Sequence, residues 1–173
     1  MNSRISRALD WLDSRKTWQF VVILYTARWV VLAPIMLFEH FCFLGDQQSA
    51  AQMSELSKVN PAVLLVFMVI MSPLLETLLE CTLPYFIVSR VRNYRQSRPK
   101  RPWGFVVVSA CVMALLHPML AALAPSFITG AFLAYCYSHF AQRRAGQAIL
   151  AATVFHGAIN IVGWVMMMVS TNA

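Results

Sequence analysis

Residues 61–88 read PAVLLVFMVIMSPLLETLLECTLPYFIV, an apolar stretch that contains two carboxylates, Glu76 and Glu80. About 20 consecutive apolar residues cross the hydrocarbon core of a bilayer as an α-helix, so this stretch predicts a spanning helix. An ionisable side chain at the bilayer centre costs roughly 3 kcal/mol or more, and such residues usually line a functional site. The fold is therefore expected to be a membrane bundle, and the two acids are the first candidates for its chemistry.

The whole chain has the composition of a polytopic membrane protein. Of its 173 residues 59% are hydrophobic and 12% are charged, and the mean hydropathy is +0.61. These values exclude an ordinary soluble domain and predict an all-α helical bundle, with residues 1–173 forming a single integral-membrane domain. Five spanning helices are expected, at residues 18–38, 61–88, 103–123, 125–140 and 149–169. A tight turn at residues 124–126 is expected to join the third and fourth spans as a hairpin.

Basic residues set the predicted orientation of the bundle. Of the 14 Lys and Arg, 12 lie before the first span, between the second and third, or between the fourth and fifth. Loops rich in Lys and Arg stay in the cytoplasm, so the N-terminus is predicted inside and the C-terminus outside a cell membrane, such as a bacterial cytoplasmic membrane. This topology accounts for the net charge of +7, and no nucleic-acid partner is expected.

Residues 1–16 are predicted to form a cytoplasmic amphipathic segment. Within residues 2–15, Ile5, Leu9 and Leu12 share one face of a helix and the charged side chains lie elsewhere. This pattern is typical of a helix that lies in the membrane interface. His139, near the inner end of the fourth span, is expected to be interfacial and solvated.

Four polar side chains in three different spans form the candidate site. Glu76 lies near the middle of the second span, His117 about a turn outward in the third, and His156 with Asn160 near the middle of the fifth. His156 and Asn160 are four residues apart, so they share a helix face. A carboxylate and an imidazole can activate a water to attack a carbonyl carbon, and an imidazole with an amide N–H can stabilise the resulting oxyanion. The set predicts peptide hydrolysis without a nucleophilic Ser or Cys.

Four segments resemble the CPBP family of CAAX proteases and bacteriocin-processing intramembrane endopeptidases. They are SPLLETLLEC at residues 72–81, ALLH at 114–117, FITGAFLAY at 127–135 and FHGAIN at 155–160, and the resemblance extends over residues 72–163. The family pattern is a Pro just before a Glu-Glu-x-x-x-Arg motif, a lone His in the next helix, a Gly-bearing helix and a final His-x-x-x-Asn. The resemblance implies that Glu76 and His117 activate water, that His156 and Asn160 form the oxyanion pocket, and that neither a metal nor another cofactor takes part. It also implies a hydrophobic or lipid-anchored peptide substrate.

Two positions depart from the family pattern: Thr77 replaces the second Glu and Cys81 replaces the Arg. A non-enzymatic member that acts as an immunity factor or membrane partner is therefore an alternative. A small proton-coupled transporter, in which the acids and histidines relay protons, is a second alternative. The four cysteines lack CxxC pairing and are expected to be small buried thiols.

The remaining ionisable groups inside predicted spans are interpreted as supporting residues. Arg28 lies at the middle of the first span, where an unpaired guanidinium is costly. We expect it to pair with Glu80, which has no counterpart in the family pattern. His117 has an alternative interpretation, because it precedes Pro118 and can be a structural partner for a backbone carbonyl freed by a local kink.

Overall fold

The computed structural model describes residues 3–41, 58–91, 102–117 and 120–171, and the regular structure within those ranges is entirely helical. Six helical elements follow one another: α1 (Ser3–Asp13), α2 (Thr17–Phe41), α3 (Pro61–Val88), α4 (Trp103–Leu116), α5 (Leu120–Ala141) and α6 (Ala145–Thr171). The predicted all-α fold is confirmed, and α1 confirms a helix in the N-terminal amphipathic segment.

Three elements contain a stretch long and apolar enough to cross a membrane: Thr17–Phe38, Pro61–Val88 and Ala145–Val169. Helix α4 is apolar but has only 14 residues, and α5 is an apolar helix of 22 residues. Large apolar side chains lie on the outside of the bundle in each of these helices; Leu115, for example, is 75% exposed. A soluble protein buries such side chains, so these surfaces fit a lipid environment and the chain is a membrane helical bundle. The count of five spans stays a prediction.

Helices α4 and α5 form a hairpin, but the chain reverses earlier than the sequence predicted. Helix α4 ends at Leu116 and α5 begins at Leu120, so residues 124–126 lie inside a helix. The residue before a proline is disfavoured in the helical region, and His117, which precedes Pro118, has φ −114° and ψ 70°. Gly130 lets the two helices pack closely, because a Cβ there would lie 2.9 Å from the Cα of Ala110.

Helix α3 is interrupted by two π-helical turns, Phe67–Met71 and Thr77–Thr82. At the end of the first, the Ser72 N–H donates to the carbonyl five residues earlier, at Phe67. The next residue is Pro73, which lacks an N–H and cannot continue either helical hydrogen-bond pattern. The second turn ends in the same way, with Leu83 followed by Pro84. Both prolines therefore lie where α3 leaves backbone carbonyls without their usual donors, and Glu76 lies between the two turns.

The end of the bundle near residues 13, 20 and 139 is closed by aromatic packing. The Phe20 and His139 rings stack with centroids 4.1 Å apart. The Asp13 carboxylate accepts a hydrogen bond of 2.9 Å from the Tyr135 hydroxyl and lies 3.3 Å from Nδ1 of His139. The prediction that His139 is solvated is wrong, because its side chain is only 9% exposed between Phe20 and Asp13. These contacts attach α1 to α5, with Leu12 of α1 in the core.

Candidate active site

Glu76 is held from both sides of its carboxylate. From the preceding turn of α3, the Ser72 hydroxyl donates to Oε1. From α6, Nε2 of His156 lies 3.2 Å from Oε2, in an ion pair whose side chains are 24% exposed at Glu76 and 4% at His156. An ionised carboxylate can only accept hydrogen bonds, so His156 carries a proton on Nε2 when it faces ionised Glu76. The structure thus brings together two of the four predicted site residues.

Asn160 lies one turn further along α6 and binds the backbone of α3. Its Nδ2 donates to the Met68 carbonyl at 2.9 Å. Met68 is the residue whose carbonyl would accept from position 73 if the π-helical pattern continued, and Pro73 has no N–H to give. An unpaired carbonyl is costly in the apolar interior of a membrane protein, so the amide of Asn160 takes the place of the missing donor. One N–H of the Asn160 amide remains for another acceptor.

Gly157 brings α6 and α3 close enough for both contacts. A Cβ at this position would lie 2.5 Å from the Val69 carbonyl oxygen, closer than any side chain can approach. The two helix backbones therefore meet here, between the His156 contact and the Asn160 contact. The stretch of α3 that lacks a backbone N–H at Pro73 thus faces the stretch of α6 that lacks a side chain at Gly157.

His117 lies at the end of α4, and its Nδ1 is 2.9 Å from the Met113 carbonyl. This contact is the structural role that the sequence left open for His117, a partner for a carbonyl at the end of the helix. The Glu76 carboxylate pairs with His156 rather than with His117. His117 and Arg28 nevertheless both lie near His156. Nε2 of His117 is the ring nitrogen that Met113 does not engage.

The predicted pair of Arg28 and Glu80 is wrong. Arg28 donates from Nε and Nη2 to the Thr129 hydroxyl of α5, at 3.1 and 3.0 Å. Glu80 is 1% exposed, and neither of its carboxylate oxygens has a hydrogen-bond partner among the residues that the structure describes. The prediction matched the two residues by depth alone. It failed because α2 packs on α5, where the Thr129 hydroxyl binds the Arg28 side chain.

The two departures from the family pattern are both buried and uncharged. Thr77 and Cys81 are fully buried in the second π-helical turn, and Cys81 lies near Cys136 of α5. Loss of a Glu and an Arg together leaves no uncompensated charge, whereas loss of one would. Two of the predicted buried thiols, Cys81 and Cys136, are confirmed; Cys111 is exposed instead, and Cys42 lies outside the described residues.

A family model matches residues 58–162, which include Glu76, His117, His156 and Asn160. The model describes the Rce1-like type II CAAX prenyl endopeptidases. The chain belongs to the Rce1-like family. That family consists of CAAX-type intramembrane proteases, and the resemblance noted from the sequence is confirmed. No curated protein and no solved structure matched the chain.

Within this Rce1-like chain, sequence reasoning missed three residues that hold the site. Ser72, Thr129 and Gly157 all lie in the segments that resemble the family, but none of them had an assigned role. Ser72 could have been found from its spacing, since a hydroxyl four residues before Glu76 shares its helix face. Gly157 carried a weaker signal, its position between two site residues. Nothing in the sequence indicated that Thr129 would receive Arg28, because that contact joins residues 101 positions apart.

Proposed function

We propose that the chain is an intramembrane endopeptidase in which Glu76 is the general base. The observation that supports this most directly is the 3.2 Å contact between Glu76 Oε2 and His156 Nε2 across the α3–α6 interface. It couples a carboxylate and an imidazole within an apolar bundle, where both have few competing partners. The Rce1-like match over the same residues supports peptide hydrolysis as the reaction.

In the proposed step, a water bound at Glu76 gives one proton to the carboxylate, and its oxygen attacks the carbonyl carbon of the substrate peptide. The carbonyl oxygen becomes an oxyanion, which accepts hydrogen bonds from Nε2–H of His156 and the second N–H of Asn160. Collapse of this intermediate breaks the C–N bond, and the proton held by Glu76 passes to the leaving amine. His117, through its Nε2, is the second group that positions the water.

The proposed substrate is a membrane-anchored or hydrophobic peptide, which reaches the site from the lipid. The enzyme is proposed to lie in a cell membrane, with the N-terminus and the basic loops in the cytoplasm. Lys and Arg concentrate on one predicted side, as the positive-inside rule requires.

The test is a comparison of purified wild-type protein with E76Q in lipid vesicles. Substrates are a farnesylated peptide ending in Cys-Val-Leu-Ser, the same peptide without the farnesyl group, and the total hydrophobic peptides of a host membrane, with products read by mass spectrometry. E76Q should lose at least about a hundredfold in rate, the lower end of the usual contribution of general acid–base catalysis. The matched control is C111S, another one-atom exchange, at an exposed residue of α4. Equal rates for E76Q and wild type would refute Glu76 as the base.

A second candidate is a family member that acts as a membrane partner without catalysis. Two observations favour it: the neutral pair Thr77 and Cys81 in place of the family's charged residues, and the engagement of Asn160 with Met68. It predicts that the wild-type protein cleaves none of the peptides and that E76Q performs the same role in cells as the wild-type protein.

A further inference from the structure

Arg28 is buried in the bundle without an anion. Its side chain is 7% exposed, its guanidinium carbon lies 4.6 Å from the centroid of the Trp29 ring, and two of its nitrogens share the Thr129 hydroxyl. The third nitrogen, Nη1, is buried and has no hydrogen-bond partner among the described residues. No carboxylate in the described part of the chain lies within ion-pair distance of Arg28.

Such an arrangement is costly unless an anion completes it. Removing a charge from water costs several kcal/mol, and a hydroxyl and an aromatic ring compensate only part of this. The Thr129 hydroxyl accepts from Nε and Nη2, on one edge of the guanidinium. The end of the guanidinium formed by Nη1 and the second N–H of Nη2 is left without an acceptor within the ranges that the structure describes. A planar pair of N–H donors of this kind matches a carboxylate, which can accept from both at once.

Arg28 lies on the part of α2 that packs against the site residues of α6. The Tyr25 hydroxyl of α2 donates to the Ala158 carbonyl of α6 at 3.3 Å, which sets α2 against the turn of α6 between His156 and Asn160. Arg28 follows one turn later on α2 and lies near His156. Arg28 therefore belongs to the part of α2 that packs beside the candidate site.

We infer that Arg28 binds the terminal carboxylate of the peptide substrate and so restricts cleavage to bonds near a free C-terminus. This inference rests on the proposed peptidase function. Arg28 precedes the residues matched by the family model, so it is a feature of this chain beyond that match. Nη1 is closed off in this structure, so binding requires α2 to separate from α6, where Tyr25 contacts Ala158 and Phe155.

The test uses two peptides that differ only at the C-terminus, a carboxylate in one and a carboxamide in the other. Both end in farnesylated Cys-Val-Leu-Ser, and each is offered to full-length wild type, R28K, R28M and T129V in phosphatidylcholine vesicles. KM and kcat are measured for cleavage, and binding of both peptides is measured separately in the E76Q background.

The wild-type protein should prefer the carboxylate peptide by roughly ten- to a hundredfold in KM, the range expected for hydrogen bonds to a charged group. R28M should remove that preference, so that the two peptides have equal KM values. R28K retains the charge but loses the planar pair of donors, so an intermediate preference is expected. T129V should weaken the preference without abolishing it, and it reports on the site if R28M fails to fold.

Equal KM values for the two peptides in the wild-type protein would overturn the inference and leave the peptidase proposal intact. A preference that persists in both R28M and R28K would overturn it as well. If neither peptide is cleaved, the binding measurement decides: carboxylate-selective binding that R28M removes supports Arg28 and counts against the peptidase, whereas unselective or absent binding overturns the role of Arg28.

Discussion

Replacing Gly157 with Ala should separate α6 from α3 and disturb the candidate site. The added Cβ would start 2.5 Å from the Val69 carbonyl oxygen, and ordinary contact begins at 3.4 Å. The backbones must therefore move apart by about 0.9 Å, because the obstacle is a carbonyl group rather than a flexible side chain. The contacts on either side, of His156 with Glu76 and of Asn160 with Met68, cross the same interface and have to stretch.

The magnitude follows from one stabilising and two destabilising effects. Ala in place of Gly stabilises the interior of a helix by about 0.5–1 kcal/mol. Overpacking costs about 1–3 kcal/mol, and weakening the Asn160 hydrogen bond adds about 0.5–1.5 kcal/mol. We expect G157A to be destabilised by about 1–3 kcal/mol. If the proposed reaction is correct, its rate should fall by about a hundredfold, as a displacement near 1 Å can produce.

The matched control is G163A, on the same helix, where an added Cβ meets nothing within 4 Å. It should be neutral or more stable by up to about 1 kcal/mol. Unfolding in detergent micelles gives the stability of both variants, and the peptide assay gives their rates. If G157A matches G163A in stability and rate, the close approach of α6 to α3 does not hold the site together.

Four further outcomes are expected. N160L should lose about 1–3 kcal/mol of stability because it leaves the Met68 carbonyl without a donor; unchanged unfolding would contradict that role. E80L should raise the free energy of unfolding by about 1–3 kcal/mol, since neither Glu80 oxygen has a hydrogen-bond partner to lose. Its effect should add to that of R28M within about 0.5 kcal/mol, and strong coupling in the double-mutant cycle would indicate an ion pair between Arg28 and Glu80 after all. Peptide cleavage should survive chelators, because the proposed set has only two histidines and lacks HExxH spacing; loss with EDTA and recovery with zinc would indicate metal-dependent hydrolysis. Reporter fusions should place the C-terminus outside the membrane, and a cytoplasmic signal there would reverse the topology.

The sequence predicted the helices and placed Glu76 and His156 in one site, but it did not predict the partner of Arg28. Hydrophobic length alone identifies a helix in a membrane protein, because the backbone must satisfy its own hydrogen bonds. The side on which a residue faces is harder to predict. Arg28 and Glu80 have matched depths by helical rise, but their partners depend on which helices pack together, and that depends on contacts such as the one between Arg28 and Thr129.

The turn between α4 and α5 shows a second limit of local reasoning. Pro118 predicts a local kink, and the Ala-Pro-Ser segment at residues 124–126 predicts the turn between the two spans. Helix α4 ends earlier, at Leu116, where His117 leaves the helical region and its Nδ1 lies 2.9 Å from the Met113 carbonyl. Pro125 lies in the second turn of α5 instead, which costs a single hydrogen bond within a helix that packs well on α4. Local propensity identified both positions, and packing decided between them.

The first π-helical turn of α3 sets the face on which Glu76 lies. Such a turn accommodates one residue more than the α-helical turn it replaces, so the residues beyond it keep the face that an unbroken α-helix one residue shorter would give them. The same residues wound as an unbroken α-helix would instead turn Glu76 by about 100°, away from α6. Deleting one residue from Phe67–Met71 should therefore convert the turn to α-helix and leave Glu76 facing α6. The contact between Glu76 and His156 thus depends on the winding of a stretch of backbone that contains neither residue.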